Sequence, residues 1–326
     1  ETFQITTLRG DIRRDGRSIT VEFTNDWKVD CSHRDLTINS LSMNFNGIIY
    51  DYCNGVHDLN DKRVKFIGEP NLRIQEDPIR ALRYFRFFGR LAENPHVHDA
   101  ETLEAIRKYS SGLKDVPGEK LWIELRQIAE DRFAGPIINV MLQQNIGSYL
   151  GLPSVSSQLF ELENRWLRMR NHHPNALTVL ATLFDNLTEL DIFGKRMRFS
   201  NQYKRSGQFL IMYRNKIHPI FDSDDCLKPY KDLCVDLSDI DDSSIKERII
   251  ELLKYQGYIY LIDEMKQWQM PIFPITSVVL QRNGLTRRCK FNMIINQLKK
   301  IWKESNYLKT EDNLINEGFQ QGLLYL

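Results

Sequence analysis

The sequence has few of the features that mark a disulfide scaffold, a metal site or a membrane protein. Its five cysteines are odd in number and scattered, with no CxxC pair, which argues against a disulfide framework or a zinc knuckle and suits a reducing compartment. The histidines have no ligand partners at metal spacing. No apolar run approaches the ~20 residues that a membrane span needs. The 44 basic residues nearly cancel the 43 acidic ones, so a nucleic-acid surface would have to be a local patch.

Strand signals are concentrated in residues 1–60. Residues 3–8 and 19–24 are rich in β-branched side chains, and the Asp15-Gly16 pair between them is a hairpin turn signal. Residues 35–45 carry a helical pattern, and residues 47–51 are typical of another short strand. From residue 71 onward apolar residues recur mainly at helical spacing, over 101–110, 118–131, 134–147, 176–190, 243–268 and 290–304. The sequence therefore predicts a small β-rich piece followed by a long all-α remainder.

The segment from Arg73 to Leu91 is the most informative part of the chain. Its arginines stand three or four residues apart and are interleaved with apolar side chains. At about 100° per residue the arginines line one face of a helix while the apolar set faces away. A row of guanidinium groups on one face suits contact with phosphates. The arginines of this face are Arg80, Arg83, Arg86 and Arg90.

Glu76, Asp77 and Pro78 precede this arginine face, and they support two interpretations. In one, Asp77 is the N-cap of the helix, Pro78 its first residue, and Arg80 is solvated. In the other, Asp77 accepts and Arg80 donates hydrogen bonds along the Watson–Crick edge of a base, while Glu76 holds the guanidinium. The arginines that follow favour the second interpretation.

Other polar residues are open to two interpretations as well. Arg34, Asp35 and Asn39 are either a charged loop with a helix cap or a cluster that holds a ribose and a triphosphate. Gly55 is either a turn residue or a hinge. In the segment 118–125, Leu121, Trp122 and Leu125 are expected in the core, and Glu119 and Glu124 are expected to be structural.

Four motifs, taken in order, resemble those of the class II tRNA nucleotidyltransferases, the CCA-adding enzymes and their bacterial poly(A) polymerase relatives. They are HRDLTINSL, YDYCNGVHDL, RIQEDPIRALRYFRFFGRL and PGEKLWIEL. The opening FQITTLR and the later CLKPYKDL, ELLKYQG, EMKQW and PIFPIT are most similar to the animal, mitochondrial-type enzymes. The resemblance covers essentially the whole chain. It implies an α+β fold with a partial β-rich nucleotidyltransferase head at 1–60, followed by an all-α neck at 61–125, body at 126–225 and tRNA-binding tail at 226–326.

The resemblance implies that CMP and then AMP are transferred from CTP and ATP to the 3′ end of tRNA, with no nucleic-acid template. It also implies roles for particular residues. The residues that would select the base are Glu76, Asp77 and Arg80. Those that would hold the sugar and phosphates are Arg34, Asp35 and Asn39, with Arg83 and Arg86 facing phosphates. A hinge motif would include Gly55 and Asp58, and a helix-stabilising motif would include Glu119. A mitochondrial location is implied, with the cytoplasm and nucleus left open, and no membrane is implicated.

The chain departs from the family pattern at its start. It begins with Glu1 rather than Met, and we expect an N-terminal portion to be absent. The family's two metal-binding carboxylates, an Asp-x-Asp motif that holds Mg²⁺, would lie upstream of Glu1, so we assign no catalytic or metal residue here. Gln4 replaces a supporting carboxylate of the family, and His33 replaces the first arginine of an RRD triplet. The alternatives are a diverged tRNA-binding relative without catalysis, or a partial transferase that adds only CC, adds only A, or resembles poly(A) polymerase.

Overall fold

The computed structural model describes residues 6–15, 18–154, 159–238, 244–285 and 291–324. The chain divides into two compact units, one of Glu1–Lys216 with Ile250–Tyr260 and one of Ile217–Ile249 with Leu261–Leu326. Among the described residues the strands lie only between residues 9 and 50, and helices make up most of the rest. The α+β class is therefore confirmed, while the division into head, neck, body and tail stays a prediction. None of the described helices is long and apolar enough to cross a membrane.

The first two strands form the predicted hairpin, but the first strand begins later than predicted. Strands β1 (Arg9–Asp15) and β2 (Ser18–Phe23) pair antiparallel, and Asp15 pairs with Ser18. Residues 6–8 have no regular structure, and 3–5 lie outside the described residues. The charged Arg9–Asp15 forms a strand despite its weak strand propensity because it pairs along its length with the β-branched residues of β2.

Short elements connect this hairpin to the helical part. They are α1 (Trp27–Ser32), β3 (Ser42–Met43), β4 (Ile49–Tyr50) and α2 (Gly55–Asn60). Strands β3 and β4 pair antiparallel, and β4 lies inside the strand predicted at 47–51.

The helix predicted over 35–45 is wrong. Leu36 instead forms an antiparallel bridge with Phe66, and the backbones of Asp35 and Thr37 bond to the same segment. Only one turn of 3-10 helix, Thr37–Asn39, remains of the predicted helix. The backbone groups that a helix would pair locally are taken by a segment about thirty residues away, which apolar spacing cannot reveal.

Gly55 begins α2 at a point of close approach. A Cβ at Gly55 would lie 2.3 Å from the carbonyl oxygen of Thr37. Asp58 is buried and accepts a hydrogen bond from Thr37 Oγ1 at 2.7 Å. Both contacts fix the start of α2 against the turn at Thr37–Asn39. The hinge role of Gly55 and Asp58 stays a prediction.

The remaining elements of the described chain are helices. They are α3 (Pro70–Glu76), α4 (Arg80–Leu91), α5 (Ala100–Tyr109), α6 (Gly118–Ala129), α7 (Ala134–Gln143), α8 (Leu159–Met169), α9 (Ala176–Leu180), α10 (Leu187–Met197), α11 (Asn201–Tyr213), α12 (Lys228–Leu237), α13 (Ile245–Gln256), α14 (Ile262–Gln267), α15 (Ser277–Arg282), α16 (Phe291–Glu304) and α17 (Glu311–Gln320). Helices α5, α6, α7 and α16 confirm the predicted helical segments there.

Two of the predicted long helices are interrupted. The segment 176–190 divides into α9 and α10 because Asn186 starts a new helix, its side chain accepting from the N–H of Glu189 at 3.1 Å. The segment 243–268 divides into α13 and α14 because Gly257 adopts φ +84° just after α13 ends. Apolar spacing continues across both breaks, so it does not locate them.

Helix α4 buries its apolar side and turns its arginines toward α6. Leu82 and Phe85 are fully buried. On the other side, Arg86 Nη1 and Arg90 Nη2 both donate to Gln127 Oε1 at 3.1 Å. The arginine face predicted from the spacing is therefore present, and its second half packs against a neighbouring helix.

Carboxylates complete this contact between α4 and α6. Glu124 is buried in α6, and its Oε2 forms an ion pair with Arg86 Nε at 3.1 Å, off line for a hydrogen bond. Asp131, just past the end of α6, accepts from Arg90 Nε at 3.0 Å. Leu121, Trp122 and Leu125 of α6 are buried, as predicted. Glu124 thus has the structural contact that was expected of it, a buried ion pair with Arg86 beneath the arginine face.

His98 occupies an aromatic pocket beside α4. Its Nε2 lies 3.0 Å from the carbonyl oxygen of Pro95, which can only accept, so Nε2 carries the proton. Nδ1 then accepts from the Tyr84 hydroxyl at 3.1 Å, and the ring stacks on Phe88 with centroids 3.8 Å apart. Burial lowers the pKa of His98 to about 4 and raises the pKa of Tyr84. His98 is therefore neutral in the folded protein at pH 7.

Replacing Glu124 with Gln is expected to lower the free energy of unfolding by about 3 kcal/mol, because a buried guanidinium then loses its counter-charge. Urea unfolding at pH 7 measures this change. Glu119→Gln is the matched control, since Glu119 pairs with Arg198 at 2.9 Å on the exposed surface and its loss should leave stability nearly unchanged. Equal effects of the two substitutions would contradict the structural role of the buried pair.

The pKa of His98 predicts a loss of stability in mild acid. The unfolded chain protonates this ring near its ordinary value of 6.5, whereas the folded chain protonates it near 4. As the pH falls through that window the unfolded state binds the extra proton, so stability decreases, by about 2 kcal/mol between pH 7 and pH 5. Unfolding free energies at both pH values should show a smaller decrease for His98→Gln. An identical decrease in the variant would show that His98 stays titratable in the folded state.

Candidate nucleotide-binding site

Two segments that are distant in sequence meet at the start of α4. Arg80 Nη2 donates to the carbonyl oxygen of His33 at 3.4 Å, and Arg83 Nη1 donates to Asp35 Oδ2 at 3.3 Å. The guanidinium of Arg73 also donates to the carbonyl oxygen of Arg34. The loop at residues 33–39 and the α3–α4 junction, which the sequence singled out separately, therefore form one site. His33 contributes a main-chain oxygen, so this contact does not depend on the side chain at that position.

Asp77 lies at the break between α3 and α4. It is extended, with φ −148° and ψ 99°, as expected for a residue before proline. Its Oδ1 accepts from the N–H of Ile79 at 3.3 Å, which is the contact of a helix cap, although regular helix begins only at Arg80. Within the described residues Oδ2 makes no hydrogen bond. Asp77 thus keeps an acceptor for a further group.

Arg80 is held from several sides. Its Nη1 donates to Glu76 Oε2 at 2.6 Å and to the carbonyl oxygen of Arg73 at 3.0 Å. Its side chain is 13% exposed. The expected contact in which Glu76 holds the Arg80 guanidinium is therefore present, and Glu76 Oε2 accepts from Arg73 Nη1 at 2.6 Å as well. Such charge-assisted bonds fix a guanidinium more firmly than solvent contacts do.

The polar loop forms the cluster that was expected. Asp35 Oδ1 accepts from the N–H of Leu36 at 2.8 Å and from Asn39 Nδ2 at 3.1 Å. Arg34 donates to Asp30 Oδ2 from Nε at 3.1 Å and from Nη2 at 3.0 Å, and to the carbonyl oxygen of Asn39 at 3.2 Å. The Arg34 side chain remains 41% exposed. The cluster is thus ordered from within and open on one side.

Arg83 connects the loop with α6. Its Nη1 lies 3.3 Å from Asp35 Oδ2 and its Nε lies 3.4 Å from Glu124 Oε1, while 39% of the side chain is exposed. Both carboxylates are buried. In the described structure each guanidinium of the arginine face meets a carboxylate or an amide, and contact with phosphates stays a prediction.

The carboxylates of this site do not fit a magnesium centre. Among the described residues, no group of three or more His, Cys, Asp and Glu side chains is placed to hold a metal ion. Asp35, Glu76 and Glu124 each already pair with one or two arginines, and a divalent ion would have to displace those guanidinium groups. Gln4, one of the departures from the family pattern, lies outside the described residues.

Sequence reasoning missed two residues of the site, Asp30 and Arg73. Asp30 stands four residues before Arg34, and this spacing would have paired them had α1 been predicted. In the sequence, Arg73 is marked only by its place at the start of the arginine-rich segment. It binds a main-chain carbonyl 39 residues away, and no side-chain pattern signals such a partner.

Comparison with known proteins places this site in a family. Residues 1–65 match the family described as the Poly A polymerase head domain. The chain is 39% identical over 316 residues to "CCA tRNA nucleotidyltransferase 1, mitochondrial" of Danio rerio. It is 40% identical over 319 residues to the Homo sapiens protein of the same name. Each alignment covers 97% of this chain and 72% of the relative.

Solved structures share the fold. The Bacillus stearothermophilus CCA-adding enzyme in complex with CTP superposes with a TM-score of 0.74 at 16% identity, covering 97% of this chain and 78% of that one. The Thermotoga maritima CCA-adding enzyme complexed with tRNA gives 0.61 at 16% identity, covering 96% and 81%. Identity near 40% over almost the whole chain, together with this common fold, leaves one conclusion. The chain belongs to the CCA tRNA nucleotidyltransferase family.

Proposed function

We propose that this chain carries the nucleotide-selecting part of an enzyme that adds CCA to the 3′ end of tRNA, using CTP and ATP and no nucleic-acid template. The observation that carries the proposal is that the α3–α4 junction holds both an acceptor, Asp77, and a firmly held donor, Arg80. Membership in the family supports the substrate class, since the similar solved enzymes are described in complex with CTP and with tRNA.

Hydrogen-bond chemistry explains why such a pair would choose cytosine and adenine. Both bases present an exocyclic amino donor beside an unprotonated ring nitrogen. A carboxylate only accepts and a guanidinium only donates, so Asp77 would take the amino group and Arg80 the ring nitrogen. Uracil and guanine present the reverse, a carbonyl beside a ring N–H, and would meet unpaired groups. Rotation of the two side chains would allow the change from cytosine to adenine.

The loop and the arginine face would hold the rest of the nucleotide. Asp35 and Asn39 present an acceptor and an amide to ribose hydroxyl groups. Arg34 and Arg83 are the more exposed guanidinium groups, at 41% and 39%, and could exchange part of their carboxylate contact for phosphate oxygens. Arg86, 16% exposed, would support them from behind by holding Glu124, the second partner of Arg83.

The reaction proposed for the complete protein is nucleotidyl transfer. The 3′-hydroxyl oxygen of tRNA attacks the α-phosphorus, a new O3′–P bond forms, the bond to pyrophosphate breaks, and the hydroxyl proton is released. Mg²⁺ is proposed as the cofactor from family membership alone, and none of the described carboxylates is assigned to it. The residues described here bind and orient the nucleotide for that attack.

We also propose a mitochondrial location. The animal relatives that match almost the whole chain carry "mitochondrial" in their names, whereas nothing comparable supports the cytoplasm or nucleus.

Substituting Asp77 or Arg80 with Ala in the full-length protein is expected to reduce discrimination between CTP and UTP by about 100-fold or more, because a site built to pair one edge loses its selective group. The measurement is kcat/KM for each nucleotide on a tRNA that lacks its CCA end. Arg90→Ala is the matched control, since Arg90 lies on the same helix and pairs only with Asp131 and Gln127 among the described residues.

Unchanged selectivity in both Asp77→Ala and Arg80→Ala would refute the roles given to these residues. Loss of selectivity in Arg90→Ala to the same degree would assign the effect to the helix as a whole. A wild-type protein that incorporates neither nucleotide would favour a diverged tRNA-binding relative.

A further inference from the structure

Arg73 is a buried arginine that belongs to neither of the groups expected to touch the nucleotide. Its side chain is 9% exposed. Nη1 donates to Glu76 Oε2 at 2.6 Å, and Nη2 donates to the carbonyl oxygen of Arg34. One rigid, planar group thus binds both the carboxylate at the end of α3 and the main chain of the polar loop.

Both of these contacts lead to Arg80. Glu76 Oε2 is also the acceptor of Arg80 Nη1, again at 2.6 Å. The carbonyl of His33, adjacent to the Arg34 carbonyl that Arg73 binds, accepts from Arg80 Nη2 at 3.4 Å. In addition, the carbonyl of Arg73 itself accepts from Arg80 Nη1 at 3.0 Å. Among the described residues, each acceptor of the Arg80 guanidinium is therefore the Arg73 carbonyl, the carboxylate that Arg73 binds, or the carbonyl next to the one that Arg73 binds.

Of these side chains, Arg73 is the most buried, at 9% exposed against 13% for Arg80 and 53% for Glu76. Glu76 is 53% exposed on its side chain, and an exposed carboxylate would otherwise exchange its partners with water. Arg73 Nε is buried and has no hydrogen-bond partner among the described residues. A buried guanidinium with an unpaired N–H disfavours folding. An apolar side chain of similar length at this position would give the folded protein comparable stability. The contacts of Arg73 are therefore better explained by the groups that they position, Glu76 and the loop main chain.

We infer that Arg73 is a positioning residue for base selection: it fixes Glu76 and the 33–34 main chain, and through them holds the Arg80 guanidinium at the base edge. The inference rests on the proposed function of the site. Arg34 directly precedes Asp35. By binding the Arg34 carbonyl, Arg73 therefore also fixes the position of the loop that would hold the sugar. Arg73 would thereby join base reading and sugar binding in one unit, without touching the nucleotide.

Arg73→Lys tests this in the full-length protein. An ammonium group keeps the charge but lacks the planar fork that serves two acceptors in fixed directions. The ratio of the dissociation constants for UTP and CTP, measured by titration calorimetry, is expected to fall at least 10-fold, mainly through weaker CTP binding. The kcat/KM ratio for the two nucleotides should fall with it, and Arg73→Lys is expected to lower Tm by a few degrees.

Arg214→Lys is the matched control for a merely structural effect. Arg214 Nη1 and Nη2 donate to the carbonyl oxygens of Ala181 and Phe184, each at 2.6 Å, elsewhere in the same unit. Its replacement should lower Tm to a similar extent and leave the binding ratio unchanged. Glu76→Gln is a second test, which removes the shared carboxylate and leaves the buried guanidinium of Arg73 in place. It should reduce the UTP-to-CTP ratio of dissociation constants as well. In that background Arg73→Lys should reduce the ratio less than it does in the wild type, because its main route is already cut.

The outcomes separate this inference from the function on which it rests. A wild-type protein that prefers CTP, together with an Arg73→Lys variant of unchanged preference, would overturn the inference alone. Full additivity of the effects of Arg73→Lys and Glu76→Gln would show that Arg73 does not act through Glu76. If Arg73→Lys does not fold, an unchanged preference for CTP in Glu76→Gln would show this instead. A wild-type protein that binds CTP no better than UTP would overturn both the inference and the proposed selection of bases.

Discussion

One oxygen atom holds the two arginines of the α3–α4 junction together. Oε2 of Glu76 accepts a hydrogen bond from Arg73 and another from Arg80, each at 2.6 Å. The two guanidinium groups repel each other and cannot be deprotonated, so only a shared counter-charge keeps them side by side. The loop at 33–39 is joined to this pair by main-chain contacts, Arg73 with the Arg34 carbonyl and Arg80 with the His33 carbonyl, and to α4 by the ion pair of Arg83 with Asp35. The position of the Arg80 guanidinium depends on its contact with Glu76.

Electrostatic balance extends from this point along the rest of α4. Arg83, Arg86 and Arg90 each have an acidic partner in the loop, in α6 or just beyond it. The arginine face is thus a neutralised interface between two helices, in keeping with the near-zero net charge of the chain. Phosphate groups would have to compete with carboxylates for these arginines. That competition is feasible at the half-exposed Arg83 and unfavourable at the mostly buried Arg86.

Sequence reasoning succeeded where partners are close along the chain. The arginine spacing on α4 could be predicted from helical geometry, and the contact of Glu76 with Arg80 from their opposite charges four residues apart, although a break between α3 and α4 separates them. It failed where the partner is remote or belongs to the main chain. The helix expected at 35–45 gave way to a bridge between Leu36 and Phe66, and the carbonyl bound by Arg73 lies 39 residues away. Close approaches such as Gly118, where a Cβ would lie 1.9 Å from the Arg196 carbonyl, likewise depend on the finished fold.

The central claim is that Asp77 and Arg80 together read the edge of the incoming base. The most direct test is a crystal structure of the full-length protein with CTP bound. In that structure we expect the cytosine amino group within hydrogen-bond distance of the Asp77 carboxylate and the ring nitrogen N3 facing the Arg80 guanidinium, with Glu76 still bound to Arg80. A cytosine bound elsewhere, with Asp77 only capping α4 and Arg80 only bound to Glu76, would contradict it.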